Sequence, residues 1–268
     1  MTPLHQPDEP PGATAADEGL SLAAVPPVGP TAADDGLPNH RWGFGAFLLT
    51  EAVLLLSAVF LAAILDPHKT STVTVADVLV GTIVPTMLAA GVAVLATILR
   101  GNGPVIDLRL KCTWADLRVG LKLGIAGVAL TVVAAVVWTR IVGANDANSA
   151  INTVLDGGKM PLTAAIVMFL YVWLIGPICE EIIFRGLLWG AITRQQWGRW
   201  AAFGLTTAIF AASHLEPIRT TLLLVIAVPI GLARLRTGTL PASIVAHQMN
   251  NFLPALAMLL VAMGVMAN

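Results

Sequence analysis

The sequence predicts an all-α protein, a polytopic transmembrane helix bundle of about seven helices behind a disordered N-terminal tail. Three observations carry this. Of 268 residues, 56% are hydrophobic and only 12% charged, about half the ~25% charged share of a soluble domain. Mean hydropathy is +0.80. The charge is also divided. Residues 1–40 hold six acids (Asp8, Glu9, Asp17, Glu18, Asp34, Asp35) and no Lys or Arg, while the remainder holds ten acids and all fifteen bases. The net charge of −1 is therefore a tail at −6 on a body at +5. This pattern excludes a soluble enzyme and a secreted disulfide scaffold. It also argues against nucleic acid as a partner, because the bases are scattered through apolar sequence rather than gathered on a patch.

The tail, residues 1–41, contains eight of the seventeen prolines and too little Leu, Ile, Val and Phe to bury a core. It has no positive n-region and no early apolar run, so it is not read as a cleaved signal peptide. The transmembrane domain, residues 42–268, starts at Trp42, directly after Arg41. Cys112 falls in a basic loop and Cys179 in an apolar run, which argues against a disulfide framework. A buried Cys is usually a small apolar filler.

Apolar runs at residues 42–65, 78–99 and 119–142 are each long enough to cross a bilayer. Residues 161–190 follow, interrupted only by the charged cluster at 180–185. Residues 201–215 and 220–235 are short, and residues 240–266 are again long enough. If the two short helices form a re-entrant hairpin, two crossings vanish together and the rest of the topology is unchanged. On one side lie Arg41, Arg100, Arg109, Lys111, Arg118, Lys122, Arg194, Arg199, Arg234 and Arg236, against Lys69, Arg140, Lys159 and Arg219 on the other. The positive-inside rule then makes the N-terminus cytoplasmic and the C-terminus external, in the plasma membrane. Trp42, Trp138, Trp189, Trp197 and Trp200 fall near predicted helix ends, as aromatic belts require. Gly120 and Gly124 form a small-xxx-small pair for close helix approach.

Ionisable groups inside a bilayer are costly and default to a functional reading. Glu180, Glu181 and Arg185 interrupt the fourth helix, His214 ends the fifth, and His247 and Asn251 lie in the last. Glu181 and Arg185 are four apart with the acid first, the favourable order for an ion pair. Glu180 is turned about 100° away, which leaves it free for chemistry. His247 and Asn251 share one face, as do Phe210 and His214. Three helices thereby converge an acid, two imidazoles and an amide on one cavity. Glu180 lies toward the cytoplasmic end of its helix, His247 about 10 Å and His214 about 20 Å along theirs. Pro177 removes a backbone hydrogen bond beside the site and is placed to kink the helix. Each of these groups, taken singly, also fits a structural contact between helices. Glu51, midway along the first span, is expected to pair with a base from a neighbouring helix.

Glu180-Glu181-x-x-x-Arg185, Phe210-x-x-x-His214 and His247-x-x-x-Asn251, in that order on apolar helices, resemble the CAAX protease and bacteriocin-processing (CPBP) family, related to the Ras-converting CAAX endopeptidase. The resemblance covers about a third of the chain, with a catalytic core at about 160–260. It implies an intramembrane endopeptidase acting on membrane-associated proteins or peptides. Glu180 and His214 would activate a water, His247 and Asn251 would stabilise the oxyanion, and Glu181 and Arg185 would support them. Family members have been described both as glutamate-type and as metallo-endopeptidases. A metal-free, glutamate-activated water is the favoured expectation. If a metal is used, Zn2+ on Glu180, His214 and His247 is the alternative, although no H-E-x-x-H helix is present. A non-proteolytic scaffold or bacteriocin-immunity-type protein would use the same residues as helix glue. A proton-coupled transporter would use them as a relay, but no internal repeat supports one.

Overall fold

The computed structural model describes residues 40–65, 74–143 and 160–265. The described residues form eight helices and no strand. Helix α1 is Phe44–Leu65 and α2 is Val75–Arg100. The short α3 is Pro104–Asp107, and α4 is Trp114–Val142. Helix α5 is continuous from Leu162 to Arg194. Helix α6 is Arg199–Ser213, α7 Thr220–Thr237 and α8 Leu240–Ala262. Apart from residues 40 and 41, the predicted disordered tail lies outside the described residues.

Local chemistry sets the helix ends. Thr74 and Thr113 each accept from the N–H three residues on, while Asp77 and Asp116 reach back to the threonine N–H. These reciprocal capping boxes start α2 and α4. Gly238 ends α7 in the left-handed region at φ 70°, where a Cβ would be strained.

Six helices are long and apolar enough to cross a membrane: α1, α2, α4, α5, α7 and α8. All seven predicted helices are present, and the short α3 is added within what was read as a basic loop. With 15 residues, α6 reaches about 22 Å, short of the roughly 30 Å hydrocarbon core. Helices α6 and α7 pack on one another as a hairpin.

Helix α8 packs against α4, α5 and α7. Close approach to α4 depends on small residues there. A Cβ at Gly124 would lie 2.9 Å from Met249, and one at Gly127 would lie 3.0 Å from Pro229 of α7. Gly120 faces the Ala242 backbone, so the predicted Gly120–Gly124 pair does serve helix packing. By contrast α1 buries only Phe47 and Thr50. Leu48, Leu56 and Phe60 face outward as on a lipid-facing helix, while Phe44, Ala46 and Leu54 pack against the core. The fully buried Leu187, Leu188 and Ile192 of α5 share one core with Trp42, with Phe47 of α1 and with Ala89 and Ala93 of α2.

Three expectations are corrected. Trp42 and Trp189 are buried rather than interfacial, at 1% and 8% exposure. Trp42 Nε1 donates to Asp107 at 2.7 Å and its carbonyl accepts from Arg194 at 2.6 Å, while His40 stacks on its ring at 3.8 Å. The indole is thereby clasped between the α2–α3 turn and the end of α5. Arg234, counted as a loop base, is instead buried; its Nε donates to the Arg185 carbonyl at 3.1 Å and its guanidinium lies over the Trp189 ring. Glu51 makes no pair among the described residues, and its buried Oε1 has no hydrogen-bond partner.

Candidate active site

The two glutamates sit on a six-residue α-helical stretch of α5, Gly176–Glu181, between π-helical turns at Tyr171–Ile175 and Ile182–Leu188. π turns inside α-helices are rare and concentrate at functional sites. Pro177 accounts for part of the first one. The Gly176 N–H donates five residues back, to the Tyr171 carbonyl. The Val172 carbonyl has thus lost its α-helical donor, and its π-helical donor would be residue 177, which has no N–H. Helix α8 answers from the side: Asn251 Nδ2 donates to the Val172 carbonyl at 3.2 Å, and Gln248 Nε2 to the Leu174 carbonyl at 3.2 Å.

Glu181 is fully buried, and its Oε1 accepts two hydrogen bonds, from Arg185 Nη1 at 2.9 Å and from His247 Nδ1 at 2.9 Å. Charge-assisted bonds of this length are the strong ones. Arg185, also fully buried, lies over the Phe210 ring, 4.4 Å from its centroid. Phe210 is the hub of the site. Its ring meets those of Phe184 at 5.3 Å, His214 at 4.8 Å and His247 at 5.6 Å.

Glu180 is different. Its side chain is 27% exposed, and Oε2 stands 3.6 Å from His247 Nε2, too far for a direct hydrogen bond. His247 therefore spans the pair, one ring nitrogen bonded to Glu181 and the other facing Glu180. His214 is exposed, and its Nδ1 bonds the Phe210 carbonyl at 2.8 Å. With Nδ1–H as the donor, Nε2 carries the lone pair.

The structure thus brings Glu180, Glu181, Arg185 and His247 into one cluster. His214 joins it through the Phe210 ring, with no bond to Glu180. Asn251 is one turn beyond His247 and is engaged by the Val172 carbonyl. Among the described residues no three His, Cys, Asp or Glu side chains are grouped so as to hold a metal ion. Glu180, His214 and His247 as placed do not fit a zinc set, and no chemistry is derived through one.

Three contributors were not read from the sequence: Phe210 as the hub, Gln248 on Leu174, and Arg234 on the Arg185 carbonyl. Gln248 adjoins His247, and a glutamine in an apolar span was the available signal. Arg234 gave none, because a base three residues before a helix end looks like an interfacial anchor.

Six candidate spans around a buried carboxylate–imidazole–guanidinium cluster define a polytopic membrane protein with an ionisable site inside its bundle. Residues 162–253 match the family described as Rce1-like, type II CAAX prenyl endopeptidase, so this segment carries a CPBP-family domain. The match runs from the first turn of α5 past Asn251 and contains every residue of the cluster. It supports an intramembrane endopeptidase in general terms. No curated protein and no solved structure matches the chain.

Proposed function

We propose that this chain is an intramembrane endopeptidase that hydrolyses peptide bonds of membrane-associated proteins or peptides, with Glu180 as its base. The observation that carries this is the unequal treatment of two adjacent acids. Glu181 is consumed by Arg185 and His247, whereas Glu180 keeps a partly exposed carboxylate beside an imidazole.

Glu180 takes a proton from a water, with His214 Nε2 as the second acceptor that orients it. The hydroxide adds to the peptide carbonyl carbon, and the carbonyl electrons move onto oxygen. His247 receives that oxyanion as an imidazolium: Nδ1–H remains on Glu181, which balances the charge, and Nε2–H points to the oxyanion. Asn251 supplies its second amide hydrogen, the first staying on Val172. As the C–N bond breaks, the proton held by Glu180 passes to the leaving amine. General acid–base catalysis of this kind contributes about 10²–10⁴-fold.

The catalytic core is the segment of about 160–260, in a transmembrane domain of 42–268. We place the N-terminus in the cytoplasm and the C-terminus outside, at the plasma membrane. Arg100, Arg109, Lys111, Arg118, Lys122, Arg194 and Arg199 support this side as inner. Because α6 and α7 are a hairpin, they add two crossings or none, so the assignment does not depend on the reach of α6.

A second reading, a non-proteolytic scaffold, is favoured by Asn251, whose amide holds two helices together. Proteomic comparison of cells carrying the wild type or Glu180→Gln separates the two. A cleavage product missing from Glu180→Gln cells supports the endopeptidase; identical proteomes support the scaffold.

A further inference from the structure

The geometry points to Gln248 as a positioning residue, one that holds the π turn of α5 and so sets the direction in which Glu180 faces. This deepens the reading of Glu180 as the base.

An isolated π turn adds one residue to a helix and rotates everything beyond it by about 100°. The turn at Tyr171–Ile175 ends immediately before the stretch that carries Cys179, Glu180 and Glu181. Its Val172 carbonyl has lost its regular backbone partner, for the reason Pro177 supplies. Two amides three residues apart on α8 donate to carbonyls of the turn, Asn251 replacing the lost partner of Val172 and Gln248 adding a donor to Leu174. The next residue of α8, Phe252, packs its ring on Trp173 of the same turn at 5.1 Å and on Phe169 at 6.4 Å. Beyond the turn, His247 ties α8 to Glu181 at 2.9 Å. Glu181 is thus fixed at its own side chain. Cys179 and Glu180 have no hydrogen bond of their own side chains to fix them, so their direction is inherited from the turn.

Without the Gln248 amide the Leu174 carbonyl loses its side-chain donor, and nothing from α8 then holds this carbonyl in the π geometry against the regular α-helical one. Tightening to that pattern rotates Cys179 and Glu180 against a pinned Glu181. Glu180 then leaves His247 Nε2, and Cys179, now 7% exposed, changes its surroundings.

Cys179 provides a readout that needs no catalysis. The chain has two cysteines, and replacing the exposed Cys112 by serine leaves Cys179 as the sole thiol. In the purified, bilayer-reconstituted full chain, Gln248→Met keeps the side-chain length and removes the donor. Cys179 labelling by a small maleimide is expected to rise about tenfold, the factor for one hydrogen bond of ordinary net strength, with the melting temperature unchanged. Peptide turnover is expected to lose kcat while KM is held. Gln248→Asn, shorter but still a donor, is expected to fall between the two. It carries the comparison if Gln248→Met does not fold. Labelling equal to the parent overturns the proposal, as does labelling that rises only in step with a lowered melting temperature. If the parent protein cleaves no peptide, the endopeptidase reading fails, and the Cys179 comparison still decides the role of Gln248.

Discussion

His247 Nδ1 lies 2.9 Å from Glu181 Oε1, the same oxygen that accepts from Arg185 Nη1. That shared oxygen makes neighbouring glutamates chemically unlike. One is a buried counter-ion that fixes an imidazole; the other keeps a partly exposed carboxylate. The arrangement also orients His247, because an imidazole bonded at Nδ1 presents Nε2 in a fixed direction.

Glu181→Ala is expected to leave the Arg185 guanidinium buried without its acceptor. Breaking a buried pair from one side costs about 3–5 kcal/mol, so thermal unfolding should shift down clearly. Adding Arg185→Met, which removes the stranded charge, is expected to recover part of the loss. A double variant less stable than Glu181→Ala would contradict the pairing.

Pro177→Ala restores a backbone donor at position 177. The Val172 carbonyl regains a partner within its own helix, and Asn251 is no longer needed there. The protein should become more stable, since an interior proline costs a helix about 3 kcal/mol, yet cleave peptide at least tenfold more slowly. Stability and turnover rising together would refute the link between the π turn and the site.

His40 is a pH-sensitive group outside the spans. Burial against Trp42 holds its pKa below the ordinary value, outweighing its bond to the Trp42 carbonyl and the nearby Asp107, while Arg194 lowers it further. A lowered histidine pKa means the folded state prefers the neutral ring. The clasp is therefore fully stabilised above about pH 6.5, the unfolded-state value, and weakens as pH falls from there through the folded pKa. Amide exchange at Arg41, whose N–H bonds the Arg100 carbonyl at 2.6 Å, should accelerate over this window beyond its intrinsic pH dependence. His40→Phe should abolish the excess.

Much of this was legible from residue order because a bilayer enforces simple rules. Spans show as apolar length, and scarce charge marks the site, so Glu180, Glu181, Arg185 and His247 stood out before their geometry was known. The Glu181–Arg185 pair followed from spacing alone. What spacing could not give was helix geometry that departs from 3.6 residues per turn. Two π turns flank the glutamates, and only Pro177 hinted at either. The first of these turns leaves the Val172 carbonyl without a backbone donor, which is why Asn251, on the regular α8, turned up on a backbone carbonyl. Burial from the side was equally hidden. Trp42 and Arg234 sit at helix ends, where sequence places them at the interface, and only tertiary packing turns them inward.

Gly124→Val tests the packing that brings α8 to the site. A side chain there meets Met249 and the Ala246 backbone, and overpacking of this kind costs about 1–3 kcal/mol. Since α8 also carries His247, reduced thermal stability should be accompanied by reduced turnover. A variant as stable as the wild type would show that α4 and α8 are not in close contact.

The central claim is that Glu180, and not its neighbour, acts on the peptide bond. The most direct measurement is hydrolysis of a membrane-anchored peptide by purified, reconstituted Glu180→Gln protein beside the wild type, with product identified by mass and folding checked by melting temperature. The expected result is an unchanged melting temperature with turnover lowered at least about 100-fold, the lower bound for loss of a general base. Turnover by a well-folded Glu180→Gln protein at the wild-type rate would contradict it.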